Sequence, residues 1–501
     1  MKNMSQVATN FDQSMTDMVD YCFSDNDFPE SSYANARLAL MDAMGCAMLG
    51  LQDQHCQTHL GNLVPGMSCE NGCRVPGTQL QLDPAQASYN LGCMIRWLDY
   101  NDTWLAQEWA HPSDNLATIL CCADYYNRSG NRSDNSRQNH NPKTPVRKMR
   151  DVLQALIMAY EIQGVLALDN AFNVLGFDHV FLLRLASTII AVKLLGGTKQ
   201  QALNALSNAF LDGAALRTYR HAPNTGWRKS WAAADTTRRA VTLALQAIQG
   251  EMGYATALSA KQWGFNAVML NAKNLVRKQA YTHMVIDNIL YKVSWPVEFH
   301  AQTAVECAIK LHPLFKKHYA ADIQKITRID IHSQQAALRI IDKTGPLTNP
   351  ADRDHCLQYA VAFALLFGKL DESSFYEKNA TNPNIDLLRE KIFLHEDRQY
   401  TADYLNANKR CIANRVTINF NDGNSESREV LYPIGHPQRR KEALPLLREK
   451  FIHNTQQVFP EQHSNSLLIL FDEPEKFDAM NVNQWMDLWR PAEEKNSLCS
   501  A

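Results

Sequence analysis

From about residue 10 to about residue 290 the chain repeats one pattern, with apolar side chains at three- and four-residue steps and few strand signals between them. That is the period of a helix buried along one face. In Asp151–Leu168, Leu153, Leu156, Ile157 and Tyr160 fall on one stripe; in Lys199–Leu211, Leu203, Leu206 and Phe210 do; in Arg238–Ile248, Val241, Leu245 and Ile248. The many alanines along these segments permit close helix packing. Such stripes must be buried against one another, so a large all-helical domain is expected.

The 501 residues exceed what one core usually serves, since domains stop growing at about 250–300 residues. The pattern also changes near residue 290. Ile326–Ser333 and Val416–Asn421 alternate apolar with polar, and Asn421-Asp422-Gly423 then turns the chain into a return strand at Arg428–Tyr432. That is a hairpin signature. Helical segments are expected beside it at Phe299–Leu311 and Asp354–Phe367. From about 434, Leu444, Leu447, Phe451 and Ile452 return to helical steps. The fold expected is mainly α with an α+β lid. Its helical domain spans 1–287 and 434–501, and a smaller inserted α+β domain spans 288–433. Residues 127–147 carry almost no apolar side chain and are expected to form a surface loop.

A net charge near −2 gives no basic excess for a nucleic acid to meet. The N-terminus lacks the apolar run of a signal peptide, and Asp12, Asp17 and Asp20 argue against a transit peptide. The best apolar run, Val180–Leu195, is interrupted by Arg184 and Lys193, so no membrane span and a cytoplasmic location are expected. The twelve cysteines are scattered without a C-x-x-C pair, which points to free thiols and no bound metal or cluster.

Chemistry concentrates in two places. RWLDYNDTWLAQEWAHPSDNL, residues 96–116, holds Asp99, Asp102, Thr103, Glu108, His111 and Asp114 among Trp97, Trp104 and Trp109. Acids and a histidine between indoles suit a pocket with apolar walls and a few aimed polar groups; the plain alternative is exposed acids and a helix cap at Ser113-Asp114. RTYRHAPNTGWRKSW, residues 217–231, offers Arg217, Arg220, His221, Arg228 and Lys229, a cationic loop that suits carboxylate or phosphate. Asp178-His179 and KVSWPVEFH, with Lys292 and His300, are smaller pieces, the latter where an interdomain cleft would open. No glycine-rich phosphate loop, H-E-x-x-H or G-x-S-x-G appears.

RWLDYNDTW, EW and HPSDNL on either side of Ala110, AYEIQG, DHV, LRTYRHAPNTG, RKSWAA, PVEFHAQTAVE, RIIDK, GPL, NPADRDHC, QY and YPIGH, in that order, resemble the MmgE/PrpD superfamily, and within it the 2-methylcitrate dehydratases, over about residues 10 to 455. The resemblance implies a helical domain with an α+β lid, an active site between them, a homodimer, and no metal or other cofactor. It implies a hydro-lyase that turns the tricarboxylate 2-methylcitrate into 2-methyl-cis-aconitate, with citrate or aconitate as side substrates. A cis-aconitate decarboxylase and a non-catalytic tricarboxylate-binding protein are the alternatives. Asp99, Thr103, His111, His179, Lys229, Lys292 and His300 fall on the implied catalytic positions. Departures at Ala110, Ala214 and Trp227 bear on the substrate rather than on the reaction class.

Such a reaction needs several cations to hold three carboxylates and the developing charge; Lys229, Lys292, Arg220 and Arg228 are the candidates. It also needs a base for a carbon-bound proton and an acid for the departing hydroxyl. His111, held by Asp99 or Asp102, fits one of these roles, and His179 or His300 the other.

Overall fold

The computed structural model describes residues 10–129, 145–221, 223–406 and 408–492. In chain order the elements that frame the site are α1 (Glu30–Gly50), α2 (Pro84–Arg96), β1 (Trp104–Leu105), β2 (Trp109–Ala110), α3 (Asn115–Ser129), α4 (Met149–Asp169), α5 (Val180–Leu194), α6 (Lys199–Leu211), α7 (Arg228–Ile248), α8 (Gln302–Tyr319), β3 (Ile326–Ser333), α9 (Gln335–Ile341), α10 (Leu357–Phe367), β4 (Ile392–Glu396), α11 (Arg398–Leu405), β5 (Asn414–Phe420), β6 (Ser425–Val430) and α12 (Arg440–Thr455).

Local chemistry sets the ends of these helices. Asp83 caps α2 by accepting from the amides of Ala85 and Gln86, with Pro84 in the first turn. Thr198 and Gln201 form a capping box on α6. Small residues permit close helix approach: a Cβ on Gly92 of α2 would lie 2.9 Å from Ala234 Cα of α7, so only glycine fits there.

Two main hydrophobic cores result. One takes residues from Met15 to Val293 and resumes with Ala443, Leu447 and Phe451 of α12. The other runs from Val297 to Val430. Helix α12 brings Lys450 back under the junction: its ammonium reaches Asp42 Oδ1 (2.7 Å) and the carbonyl oxygens of Tyr100 (2.8 Å) and Lys292 (2.7 Å).

The second core packs helices on a four-stranded sheet ordered β4-β3-β5-β6. Strand β3 runs parallel to β4 and antiparallel to β5, and β5–β6 is the hairpin, pairing Asn419 with Ser425 and Asn414 with Val430. Gly423 takes φ +86° in its turn.

Several elements differ from expectation for physical reasons. The return strand is Ser425–Val430 rather than Arg428–Tyr432, because the turn closes at once with Phe420 N bonded to Asn424 O (2.9 Å). Strand β4 gave no alternation because, as an edge strand, it buries only Ile392. Helix α8 runs past the expected Leu311 to Tyr319, with Pro313 inside it. Helix α7 starts ten residues early, at Arg228, so Arg228 and Lys229 form a helical first turn and not a loop.

Helix α4 is, by length and composition, apolar enough to cross a membrane, a better candidate than Val180–Leu195; 83% of that window is buried inside the fold. Of residues 127–147, positions 130–144 lie outside the described residues. The ends are anchored rather than loose: Arg128 pairs with Asp124 (2.8 Å) and Asp487 (2.8 Å), and the Asn127 side-chain amide donates to Arg147 O (2.8 Å) and accepts from Arg147 N (2.7 Å).

Candidate active site

Helix α2 ends at Arg96, and the chain turns through Asp99, whose φ of 51° lies in the left-handed region that aspartate tolerates better than most residues. The turn brings the Asp99 carboxylate back onto Arg96 and 2.7 Å from Lys292 Nζ, which also donates to the Asp99 carbonyl. Lys292 reaches this place because Thr103 and Leu290 exchange backbone hydrogen bonds (2.8 and 3.1 Å).

The two-residue strands β1 and β2 then deliver His111. Its Nδ1 lies 2.7 Å from the Asp102 carbonyl, which fixes the proton on Nδ1 and leaves the Nε2 lone pair free. Thr103 Oγ1 is 3.3 Å from the same Nδ1, and Nε2 lies 3.9 Å from Asp99 Oδ1. Burial, and then the charges of Arg96, Lys292 and His179, hold His111 well below the usual imidazole range. The ring is neutral at pH 7. The Asp102 carboxylate is spent on Ser113 N (3.1 Å), Ser113 Oγ (2.6 Å) and Tyr160 OH (2.5 Å), so Asp102 braces the loop behind His111 instead of facing a substrate.

His179, one residue before α5, places its ring 5.6 Å from that of His111. Among the described residues neither ring nitrogen has a hydrogen-bond partner, and Asp178 Oδ1 stands off at 3.4 Å. Asp178 instead grips Arg220 through both of its oxygens. Arg220, expected to bind substrate, is therefore held by Asp178 as a buried ion pair.

Lys229 lies in the first turn of α7, where the helix dipole disfavours a cation. The α+β half compensates it: Asp354 offers both oxygens (2.5 and 2.7 Å) and His355 Nδ1 lies at 2.9 Å. Burial nevertheless pushes the Lys229 ammonium down to about 7. Helix α10 starts at Leu357 and not at the expected Asp354, which leaves Asp354 and His355 in a loop that faces α7.

His300 belongs to a separate chain of bonds. Glu298 Oε1 accepts from Nδ1 (2.7 Å), Nε2 meets the Tyr404 hydroxyl (3.1 Å), and Trp109 Nε1 donates to that same hydroxyl (3.3 Å). Burial alone would raise Glu298, but His300, His355 and Lys292 bring it down to about 2.

Asp99, Thr103, His111 and Lys292 thus form one tight group, with His179 beside it. Lys229 and His300 approach from the seam between the two cores. Arg96 connects these groups, since its charge depresses His111, His179, Lys229 and Lys292 alike. Arg228 stands apart: its guanidinium lies over Trp231 (4.3 Å) and lines an outer cavity with Arg184, Arg238 and Arg239. Trp104 is held in the helical core. Trp227 stacks between His55 (4.5 Å) and Trp97 (5.6 Å), and Trp104 Nε1 bonds Gly164 O (3.0 Å). Trp109 reaches the seam at Tyr404, and Trp97 and Trp227 line a small cavity there with Pro296, Asp354 and Phe375. Ala110 is fully buried in β2.

Arg96, Glu298, Asp354, His355 and Tyr404 were not singled out from the sequence. The first opens the acid-rich string, and the next three lie in the quoted strings PVEFH and DRDHC. Tyr404 carried no signal. Among the described residues no group of three or more His, Cys, Asp or Glu side chains is placed to hold a metal ion.

A buried neutral imidazole beside paired lysines and arginines, at the seam of a helical and an α+β half, defines a lyase-type cleft for a polyanionic acid. The chain matches the MmgE/PrpD N-terminal domain over residues 19–278 and the MmgE/PrpD C-terminal domain over residues 295–473, and it belongs to that family. It is 47% identical over 486 residues to the 2-methylcitrate dehydratase of Salmonella typhimurium, covering 96% of this chain and 98% of that one. It is 47% identical over 489 residues to the Escherichia coli 2-methylcitrate dehydratase, covering 97% and 99%. The mitochondrial 2-methylcitrate dehydratase of Yarrowia lipolytica is 44% identical over 492 residues, covering 97% and 92%.

Proposed function

We propose that this chain is a hydro-lyase that dehydrates 2-methylcitrate to 2-methyl-cis-aconitate, with citrate and aconitate as lesser substrates. The observation that carries the reading is His111, a neutral imidazole whose Nδ1 proton is committed to Asp102 O and whose Nε2 lone pair is free beside Arg96 and Lys292. Nε2 takes the carbon-bound proton next to a carboxylate. Lys292 and Arg96 hold the charge that builds on that carboxylate, in a site where buried cations act strongly. The electron pair forms the double bond as the hydroxyl leaves, and Lys229, with its ammonium tuned to about 7, hands over the proton that makes it water. Near-full-length identity to dehydratases from bacteria and yeast supports the same reaction class. The test is to incubate the chelator-treated protein with 2-methylcitrate, citrate and cis-aconitate, following the ultraviolet absorbance of the unsaturated acid together with carbon dioxide release. Absorbance that rises with 2-methylcitrate and no gas is expected; gas from cis-aconitate without dehydration overturns the reading.

A further inference from the structure

Among the described residues Arg217 is a buried cation whose one ion pair, to Glu108, is long and makes no hydrogen bond. It is 8% exposed, and among the described residues its guanidinium makes no hydrogen bond. Nη1 is buried and unpartnered. The nearest carboxylate oxygen, Glu108 Oε1, is 3.9 Å away. Glu108 is already engaged elsewhere: Oε2 accepts from Asn173 N (2.6 Å) and Asn173 Nδ2 (3.0 Å), and Oε1 from Trp109 N (3.2 Å). Burial also pushes Glu108 up to about 7, which weakens it as a counter-ion. Asp178, the next acid, has both oxygens on Arg220.

The surroundings point to an anion. Arg217 lies over the Trp109 ring (5.2 Å), and Arg339 of α9 lies over the same ring from the α+β half (5.3 Å). The charge of Arg217 also acts on His179, whose two ring nitrogens are buried and unpartnered as well. The two segments pair through Arg217 N to Gly176 O (3.0 Å) and Asp178 N to Ala215 O (2.8 Å), so both sets of idle groups come from adjoining backbone, and His179 stands beside the proposed base. An unpaired buried charge is costly to a fold unless something pairs with it, and a guanidinium fork matches a carboxylate in two bonds.

We propose that Arg217 grips one carboxylate of the substrate, with His179 donating at its side, and so imposes the requirement for a tricarboxylate. The inference rests on the tricarboxylate reading above. It does not depend on turnover, so the two can fail separately.

The probe is tricarballylate, propane-1,2,3-tricarboxylate, which lacks a hydroxyl and cannot be dehydrated. Its binding is measured by calorimetry to wild type, Arg217→Gln, Arg217→Lys and, as a surface-charge control, Arg428→Gln. Arg217→Gln is expected to bind about 10–100-fold more weakly, the worth of a lost charged hydrogen-bond pair. Its ligand-free Tm is expected to hold or rise, because an uncompensated buried charge has gone; an arginine with a merely structural role would lower it. Arg217→Lys is expected to fall in between, and it carries the test if the Gln variant does not fold. Unchanged affinity in Arg217→Gln, or full wild-type affinity in Arg217→Lys, overturns the proposal. Wild type that dehydrates 2-methylcitrate while Arg217→Gln binds tricarballylate normally sinks this inference alone; wild type that binds tricarballylate through Arg217 without dehydrating 2-methylcitrate sinks only the reaction.

Discussion

The two walls of the cleft are built in opposite ways. The Asp99–His111 wall comes almost entirely from one stretch of chain between α2 and α3, closed by Lys292, and the bonds that set Asp99 and His111 stay within the helical half, while Leu105 and Trp109 of the same stretch reach Arg410 and Tyr404 across it. The facing wall is drawn from distant points: Lys229 from α7, Asp354 and His355 ahead of α10, Glu298 and His300 ahead of α8, and Tyr404 from α11. One wall is preorganised by local turns. The other exists only while two cores meet. Preorganisation suits the group that must take a proton from carbon, whereas ion pairs across a seam suit groups that must let a polyanion in and out.

The largest expected effect sharpens this contrast at its rigid side. His111→Ala is expected to lower kcat by about 10²–10⁴ while substrate binding changes less; near-normal turnover in a folded variant would remove His111 from the chemistry. Next comes Lys229→Ala on the wall drawn from distant points, with kcat/KM down by about 10²–10³. Lys229→Arg is expected not to restore it, since a fork is not a point charge. The same lysine gives a pH signature. Its folded value is lowered to about 7, so the protonated form is lost above that pH and kcat is expected to fall there. Lys229→Arg is expected to abolish that alkaline limb, and a limb unchanged in that variant would assign it to another group. The stability sign is opposite. Between about pH 7 and the ordinary lysine range near 10.4 the unfolded chain holds the proton that the folded chain has lost, so this group makes the fold gain stability as pH rises.

How much of each wall was legible follows from how it is made. Asp99, Thr103 and His111 lie in one dense string, and three indoles among acids mark a pocket. Yet Trp104 proved to be packing, its Nε1 spent on Gly164 O, which composition cannot separate from lining. Arg228 and Lys229 are neighbours in sequence, but consecutive helical residues point about 100° apart; one faces the seam and the other the outer cavity. Asp354 and His355 gave no signal of their own, because their meaning depends on which helix they face across the cleft. Tyr404 sits in a short helix whose sequence, RQYTADYL, reads as surface.

A smaller effect lies outside the cleft. Asp124 is fully buried, and Arg128 is its charge partner. Arg128→Ala is expected to lower Tm by several degrees, because removing one member of a buried pair strands the other. Deleting residues 130–144 while keeping 127–129 and 145–147 is expected to leave kcat unchanged and Tm nearly so. A large loss of Tm there, or none in Arg128→Ala, would reverse which part of this region anchors the fold.

Lys450 carries a consequence for biosynthesis. The backbone at Tyr100 and at Lys292 is tied to an ammonium that enters 158 residues after Lys292. A growing polypeptide therefore leaves the ribosome with every proposed catalytic side chain already made, yet with the segments that carry Asp99 and Lys292 unfastened. Domains otherwise fold as they emerge, N-terminal portions first. Here the clasp is made only after both walls of the cleft, so the segments that carry Asp99 and Lys292 stay unfastened until α12 has emerged.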